Sequence, residues 1–213
     1  MCLIVIPARD EERSLPIVLS EILRLVDADR VVVVDSFSVD KTAEVATSFG
    51  VRTIVAKYPG KAGAVFTAVK TFKEPCYIVM DADGEHPLAA VEKVYDLMRG
   101  GSDFVKTERV KLNRRSPYLI GNKVITFAFN MLFGTRFSDV LSGLVGFKRQ
   151  YMPSQPPSPN CLEVTLLAKA LLMNAKIDVV NYIPRDRLGG KKKVRLGAGL
   201  EILRCILKER FVR

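Results

Sequence analysis

Two carboxylates one residue apart, Asp81 and Asp83, stand directly after the apolar run YIVM (77–80), and Glu85 follows within DADGEHP (81–87). In an extended segment alternate side chains share a face, so the three acids project to one side. Like charges at that spacing repel unless a cation or a set of donors offsets them. Hard divalent ions such as Mg2+ or Mn2+ take oxygen ligands and usually keep phosphate oxygens in their shell. The pattern points to a cation-bound diphosphate, with Asp83, Asp81 and Glu85 as candidate ligands. The plainer alternative is an acidic turn before a helix opening near Pro87. His86, the single histidine, suits packing or support of the acids better than direct chemistry.

Three more polar segments follow apolar runs: PARDEE (7–12), DSFSVDKT (35–42) and YPGKAGA (58–64). Lys61, between Gly60 and Gly63, places a cation and a permissive backbone beside a helix N-terminus, a familiar setting for anions. Singly, each segment reads as an ordinary turn or cap. Four in succession after apolar runs read as one site.

The elements that must position these groups follow from periodicity. LIVI (3–6) and VVVV (31–34) are continuous β-branched runs, as in strands buried on both faces, and residues 53–56, 77–80 and 103–106 repeat the signal more weakly. Leu15, Val18, Leu19, Ile22, Leu23 and Val26 recur at helical spacing. Residues 40–49, 60–72 and 87–98 read as further helices. Such alternation predicts an α/β sandwich with a mostly parallel central sheet, whose ligands bind beyond the carboxyl ends of the strands. In the second half, 120–133, 161–173 and 196–211 read as helices and 142–147 and 177–182 as strands, with PSQPPSPN (153–160) a loop. One domain is expected over residues 1–213, with a 1–105 half and a 106–213 half.

With 33 Lys+Arg against 23 Asp+Glu the chain carries +10, unevenly distributed. Residues 1–105 sum to −4, 106–123 to +5 and 185–213 to +7. Local positive charge marks surfaces that meet an anion. A nucleic-acid module is disfavoured, because the basic segments hold few aromatics and the acidic strand ends would repel a phosphate backbone. No apolar run approaches the ~20 residues that span a bilayer, and MCLIVIPARDEE lacks a signal-peptide pattern. Cys2, Cys76, Cys161 and Cys205 are far apart, with no CxxC pair. That predicts reduced thiols in a cytoplasmic protein and no zinc site.

VIPARDEE, VVVVDSFSVDKT, GKAGA and DADGEHP, in this order and spacing, resemble the nucleotide-sugar-binding half of family 2 glycosyltransferases of the dolichol-phosphate-mannose synthase-like kind. The likeness continues through DFVKTERV (103–110), residues 121–149 and RLGGKKKVR (187–195). It implies the GT-A (Rossmann-like) α/β/α fold and Mg2+ or Mn2+ as cofactor. The donor would be a nucleotide sugar of the GDP-mannose or UDP-glucose type. Pro7, Ala8, Arg9, Glu11 and Asp35 would line the nucleoside pocket, while Lys61, Asp81 and Asp83 would face the sugar and diphosphate. Arg9 replaces a frequent aromatic, Ser36 a second acid and Glu85 a frequent glutamine.

The implied reaction is inverting transfer of a hexose to a polyprenyl or dolichyl phosphate. A phosphate acceptor is already anionic and needs no strong base, whereas a hydroxyl does. Arg109, Lys123 and the Arg187/Lys191/Lys193 cluster are the candidates to hold it. Asp139, in SDVLSG, matches an acid near the acceptor in the family. It would orient basic groups around a phosphate or, in the alternative of a soluble sugar or metabolite acceptor, serve as general base. Arg114 and Arg115 read equally as solvated loop. The helix over 196–211 would pack on the domain or lie peripherally on an anionic membrane surface.

Overall fold

The computed structural model describes residues 2–110, 117–189 and 197–211, without the side chains of 117–119. Seven strands form one sheet: β1 (Leu3–Ala8), β2 (Val31–Asp35), β3 (Arg52–Val55), β4 (Cys76–Val79), β5 (Phe104–Arg109), β6 (Val145–Lys148) and β7 (Ile177–Tyr182). Their order is β3-β2-β1-β4-β6-β5-β7. The helices are α1 (Leu15–Ile22), α2 (Thr42–Ser48), α3 (Gly60–Thr71), α4 (Leu88–Arg99), α5 (Pro117–Phe133), α6 (Leu162–Leu172) and α7 (Ala198–Phe211). The expected α/β/α sandwich is present.

Strand alternation builds two cores. Leu3, Val5, Val32 and Val34 pack under α3, α5, α6 and α7, whereas Ile4, Ile6, Val31 and Val33 pack under α1, α2 and α4. Every residue of β2 is buried, which is why its run carries no polar alternation. The parallel register sets Ala8 beside Asp35 and Asp35 beside Val55, so the polar segments emerge along one edge.

The strand expected over 142–147 begins at Val145 and runs antiparallel to both β4 and β5. It therefore starts at the edge where its parallel neighbours finish, and delivers Ser142 and Gly143 there. Pairing of β5 with β7 in parallel carries the sheet on through the second half.

The cysteine expectation is corrected: Cys2 is bonded to Cys76 and Cys161 to Cys205. Positions 74 residues apart meet because β1 pairs with β4 in the register Leu3–Tyr77. The second bond ties the start of α6 to α7. Sheet order and helix packing, absent from linear spacing, created both pairs. Among the described residues no helix is long and apolar enough to cross a membrane.

Candidate active site

The loops after β1 and β2 interlock. Asp10 donates its amide to Ser38 Oγ at 3.0 Å and accepts from the Val39 amide at 2.9 Å. The Glu11 amide reaches Thr42 Oγ1 at 2.8 Å, and Ser14 Oγ donates to the Glu11 carboxylate at 2.7 Å. Pro7 and Ala8 close β1 beside this junction, and Arg9 lies exposed with its guanidinium 3.7 Å from Asp10. Asp35 is buried at the end of β2. One of its oxygens accepts from the Ser38 amide at 3.2 Å, while Oδ1 is the buried side-chain acceptor without a partner among the described residues. An unpaired buried carboxylate oxygen is costly, and a ligand N–H or O–H would satisfy it.

Beyond β4 the acids are divided among bases. Asp81 Oδ1 pairs with Lys61 Nζ at 2.6 Å, and Oδ2 faces His86 Nε2 at 3.3 Å. The same ammonium meets Glu163 Oε1 at 2.9 Å and the Gly143 carbonyl at 3.0 Å. Burial pushes Asp81 up, yet the Lys61 and His86 contacts hold it well below the usual carboxylate range. Burial likewise works against the Lys61 charge, but Asp81 and Glu163 together raise it. A Cβ on Gly143 would fall 2.7 Å from Lys61 Nζ and also strike Asp81, so glycine lets the pair keep this position.

Asp83 and Glu85 are met by Arg187, whose Nη2 lies 2.6 Å from Asp83 Oδ2 and whose Nε lies 3.4 Å from Glu85 Oε1. The Arg187 segment lies along the acidic motif: the Leu188 amide donates to the Asp83 carbonyl and the Arg185 amide to that of Glu85, each at 2.9 Å. Gly84, at φ +79°, permits this approach, because a Cβ would come within 2.8 Å of Leu188 Cγ. Arg185 anchors the segment through a fork to Glu21 at 2.7 and 2.6 Å.

The three acids thus do not gather into one cluster, and among the described residues no three His, Cys, Asp or Glu side chains do. Asp83 still suits a hard cation. Burial and then the neighbouring Asp81 charge push its carboxyl up despite Arg187, and a cation bound there would offset both effects. Asp83 would be the protein ligand, with Glu85 beside it and phosphate oxygens completing the shell.

On the acceptor side Arg109 and Asp139 form a fork, Nε–Oδ2 at 2.6 Å and Nη2–Oδ1 at 3.1 Å. The Leu141 amide adds a bond to Oδ1 at 3.0 Å. Burial opposes the Asp139 charge, but Arg109 outweighs it and lowers the carboxyl. Lys106, buried earlier in β5, is pushed down by burial to about 8. Lys123 sits exposed on α5 and takes no part in these bonds. Lys191, Lys193, Arg114 and Arg115 lie outside the described residues.

Sequence reasoning missed Glu163 and a buried polar chain. His86 Nδ1 lies 2.9 Å from the Tyr182 hydroxyl, which lies 3.2 Å from Ser142 Oγ, itself 2.6 Å from Thr107 Oγ1. The signal for Glu163 was a charge set between Leu162 and Val164, both buried, in a helix whose other charge is Lys169 near its end.

The pattern of glycosyl transferase family 2 matches residues 3–150. A dolichyl-phosphate hexose transferase of Haloferax volcanii is 27% identical over 214 residues, covering 96% of this chain and 92% of the relative. Glucosyl-3-phosphoglycerate synthase of Mycobacterium tuberculosis, crystallised with Mn2+, uridine diphosphate and phosphoglyceric acid, superposes with a TM-score of 0.81 at 20% identity, covering 100% of this chain and 79% of that one. The same enzyme with Mg2+ and uridine diphosphate gives 0.81 at 22% identity, covering 100% and 80%. A sheet of this order, with its polar strand ends gathered along one edge, has the GT-A fold of glycosyltransferases. The chain belongs to glycosyl transferase family 2.

Proposed function

We propose that residues 1–213 act as one catalytic unit that moves a hexose, with inversion, from a nucleoside diphosphate sugar to a polyprenyl phosphate. The acceptor phosphate oxygen attacks the anomeric carbon as the bond to the diphosphate breaks, and the leaving group takes the electron pair. No proton need move. The observation that carries the reading is Asp139: both its oxygens are committed to Arg109 and the Leu141 amide, and its carboxyl is held low. A carboxylate so engaged is a poor base and a good clamp for a guanidinium. Arg109, with Nη1 uncommitted among the described residues, would receive the phosphate. The full-length likeness to a relative named for dolichyl phosphate supports the same acceptor.

On the donor side Asp35 Oδ1 would accept from the nucleoside, with Pro7, Ala8, Arg9 and Glu11 around it. Asp81, fixed by Lys61 and His86, would face the sugar, and Arg187 would turn from Asp83 to the diphosphate. A divalent cation on Asp83, with Glu85 as helper, would neutralise the leaving diphosphate. Lys191 and Lys193 remain candidates for the acceptor phosphate by charge, as does Lys123.

A second reading, transfer to the hydroxyl of a soluble phosphorylated acceptor, is favoured by the likeness to glucosyl-3-phosphoglycerate synthase bound to phosphoglyceric acid. The experiment compares GDP-mannose and UDP-glucose as donors against polyprenyl phosphate and phosphoglycerate as acceptors. Product on the lipid alone supports the proposal, and product on phosphoglycerate alone overturns it.

A further inference from the structure

Helix α5 is apolar on two faces. Ile125 and Phe129 enter the core, and Thr126 Oγ1 receives the amide of Val140, the residue after Asp139, at 3.3 Å. On the opposite face Ile120, Val124, Phe127 and Met131, spaced by three or four residues, are each between 54% and 69% exposed. So large an apolar stripe in water marks a contact surface. Helix α7 continues it. Arg210 donates to the Leu132 carbonyl at 2.9 Å and lies against the rings of Phe133 and Phe211, which brings the exposed Leu207 and Phe211 to the end of the α5 stripe.

Among the described residues, the exposed charged side chains of α5 and α7 have one sign. Lys123, Arg204, Lys208 and Arg210 are exposed. The two acids of α7 are drawn away, Glu201 to Asn160 at 2.7 Å and Glu209 to Lys169 at 3.6 Å. A two-fold contact with a second copy would set these same bases against themselves. An anionic bilayer instead satisfies both the apolar stripe and its basic border.

We infer that the exposed faces of α5 and α7 form a docking surface for an anionic lipid bilayer. The surface deepens the polyprenyl-phosphate reading and rests on it for its purpose: the inner face of α5 is one hydrogen bond from the loop that carries Asp139, the partner of Arg109.

The test is flotation of the whole chain with vesicles of phosphatidylcholine plus phosphatidylglycerol, against phosphatidylcholine alone. The wild type should float with the anionic vesicles. Phe127→Ser with Met131→Ser removes two large apolar groups, each worth roughly tenfold in partitioning. Arg204→Glu with Lys208→Glu should weaken binding by roughly fivefold or more per charge, and selectively on anionic vesicles. All four side chains are exposed, so unchanged melting temperatures confirm folding. Wild-type protein that stays with the soluble fraction, variants that float undiminished, or a dimer in sedimentation velocity that the serine pair dissociates would each overturn the inference. Transfer to a short-chain polyprenyl phosphate without vesicles reads the acceptor separately. Its absence, with flotation intact, sinks the acceptor reading and leaves the surface standing, and transfer without flotation does the reverse.

Discussion

Replacing Lys106 by Met should stabilise the protein, and the structure gives the size of the effect. Lys106 lies in β5 opposite Val145 of β6 and Val179 of β7, is 1% exposed, and donates to the Thr107 carbonyl. Burial pushes the ammonium down from 10.5 to about 8, with Asp139 pulling it up and Arg109 pushing it down. Between about pH 8 and 10.5 the unfolded chain holds a proton that the folded chain lacks, so stability rises with pH across that window. Below pH 8 both states are protonated and the whole penalty applies, about 3 kcal/mol at ~1.4 kcal/mol per pKa unit. Methionine has similar length and no charge. At neutral pH the variant should melt about 6–12 °C above wild type for a chain of this size. The assay is thermal denaturation followed by circular dichroism at neutral pH and near pH 10. The gap should be large at the first and nearly closed at the second. A variant that melts below wild type at neutral pH, or a gap equal at both, would show that the buried Lys106 charge does not destabilise the fold. A destabilising charge beside the Arg109–Asp139 fork also predicts a cost to its removal: acceptor KM should rise about tenfold, since charge-assisted bonds carry a few kcal/mol at most.

Asp139→Asn should lower acceptor affinity and cut kcat by less than the ~100-fold or more expected for loss of a general base, as steady-state kinetics would show. Because its folded carboxyl is lowered, Asp139 stabilises the wild type above about pH 4 and loses that contribution as pH falls further; the Asn variant should lack this acid-side slope in urea melts. Glu163→Gln leaves Lys61 with one carboxylate and should weaken donor binding about tenfold by calorimetry, given the ~1.5–3 kcal/mol of a charged hydrogen bond; unchanged donor affinity would separate Glu163 from the site. Chelation by EDTA should abolish transfer and leave the melting temperature unmoved, because Asp81 and Asp83 are already paired with Lys61 and Arg187 in the free protein. A large drop in melting temperature would mean that the cation builds the site.

The first half was legible because buried parallel strands write themselves as unbroken aliphatic runs, and polar residues just after them must reach the sheet edge. Asp35, Lys61, Asp81 and Asp83 were singled out that way. β6 was placed nearly in position, but its reversed direction comes from pairing on both sides, which no local pattern encodes. Glu163, Ser142 and Tyr182 were missed for the same reason: each is ordinary in its own element and acquires its partners only through packing. The cysteines misled because linear distance says nothing about which strands are neighbours. Arg187 was expected beside a phosphate, and its pairing with Asp83 in the free protein was visible only once the segment lay over the acidic motif.

The chain of polar contacts behind His86 has a direction. Thr107 Oγ1 gives its one hydrogen to the Leu144 carbonyl at 2.6 Å, so the hydrogen between Thr107 and Ser142 must come from serine. The hydrogen between Ser142 and Tyr182 must then come from tyrosine, which leaves His86 Nδ1 as the donor to the Tyr182 oxygen. A threonine on β5 thus dictates that Nδ1 carries a hydrogen, and the other ring nitrogen donates to Asp81 only when it carries one as well. Thr107→Val would leave the nucleotide pocket untouched and still free the imidazole to flip.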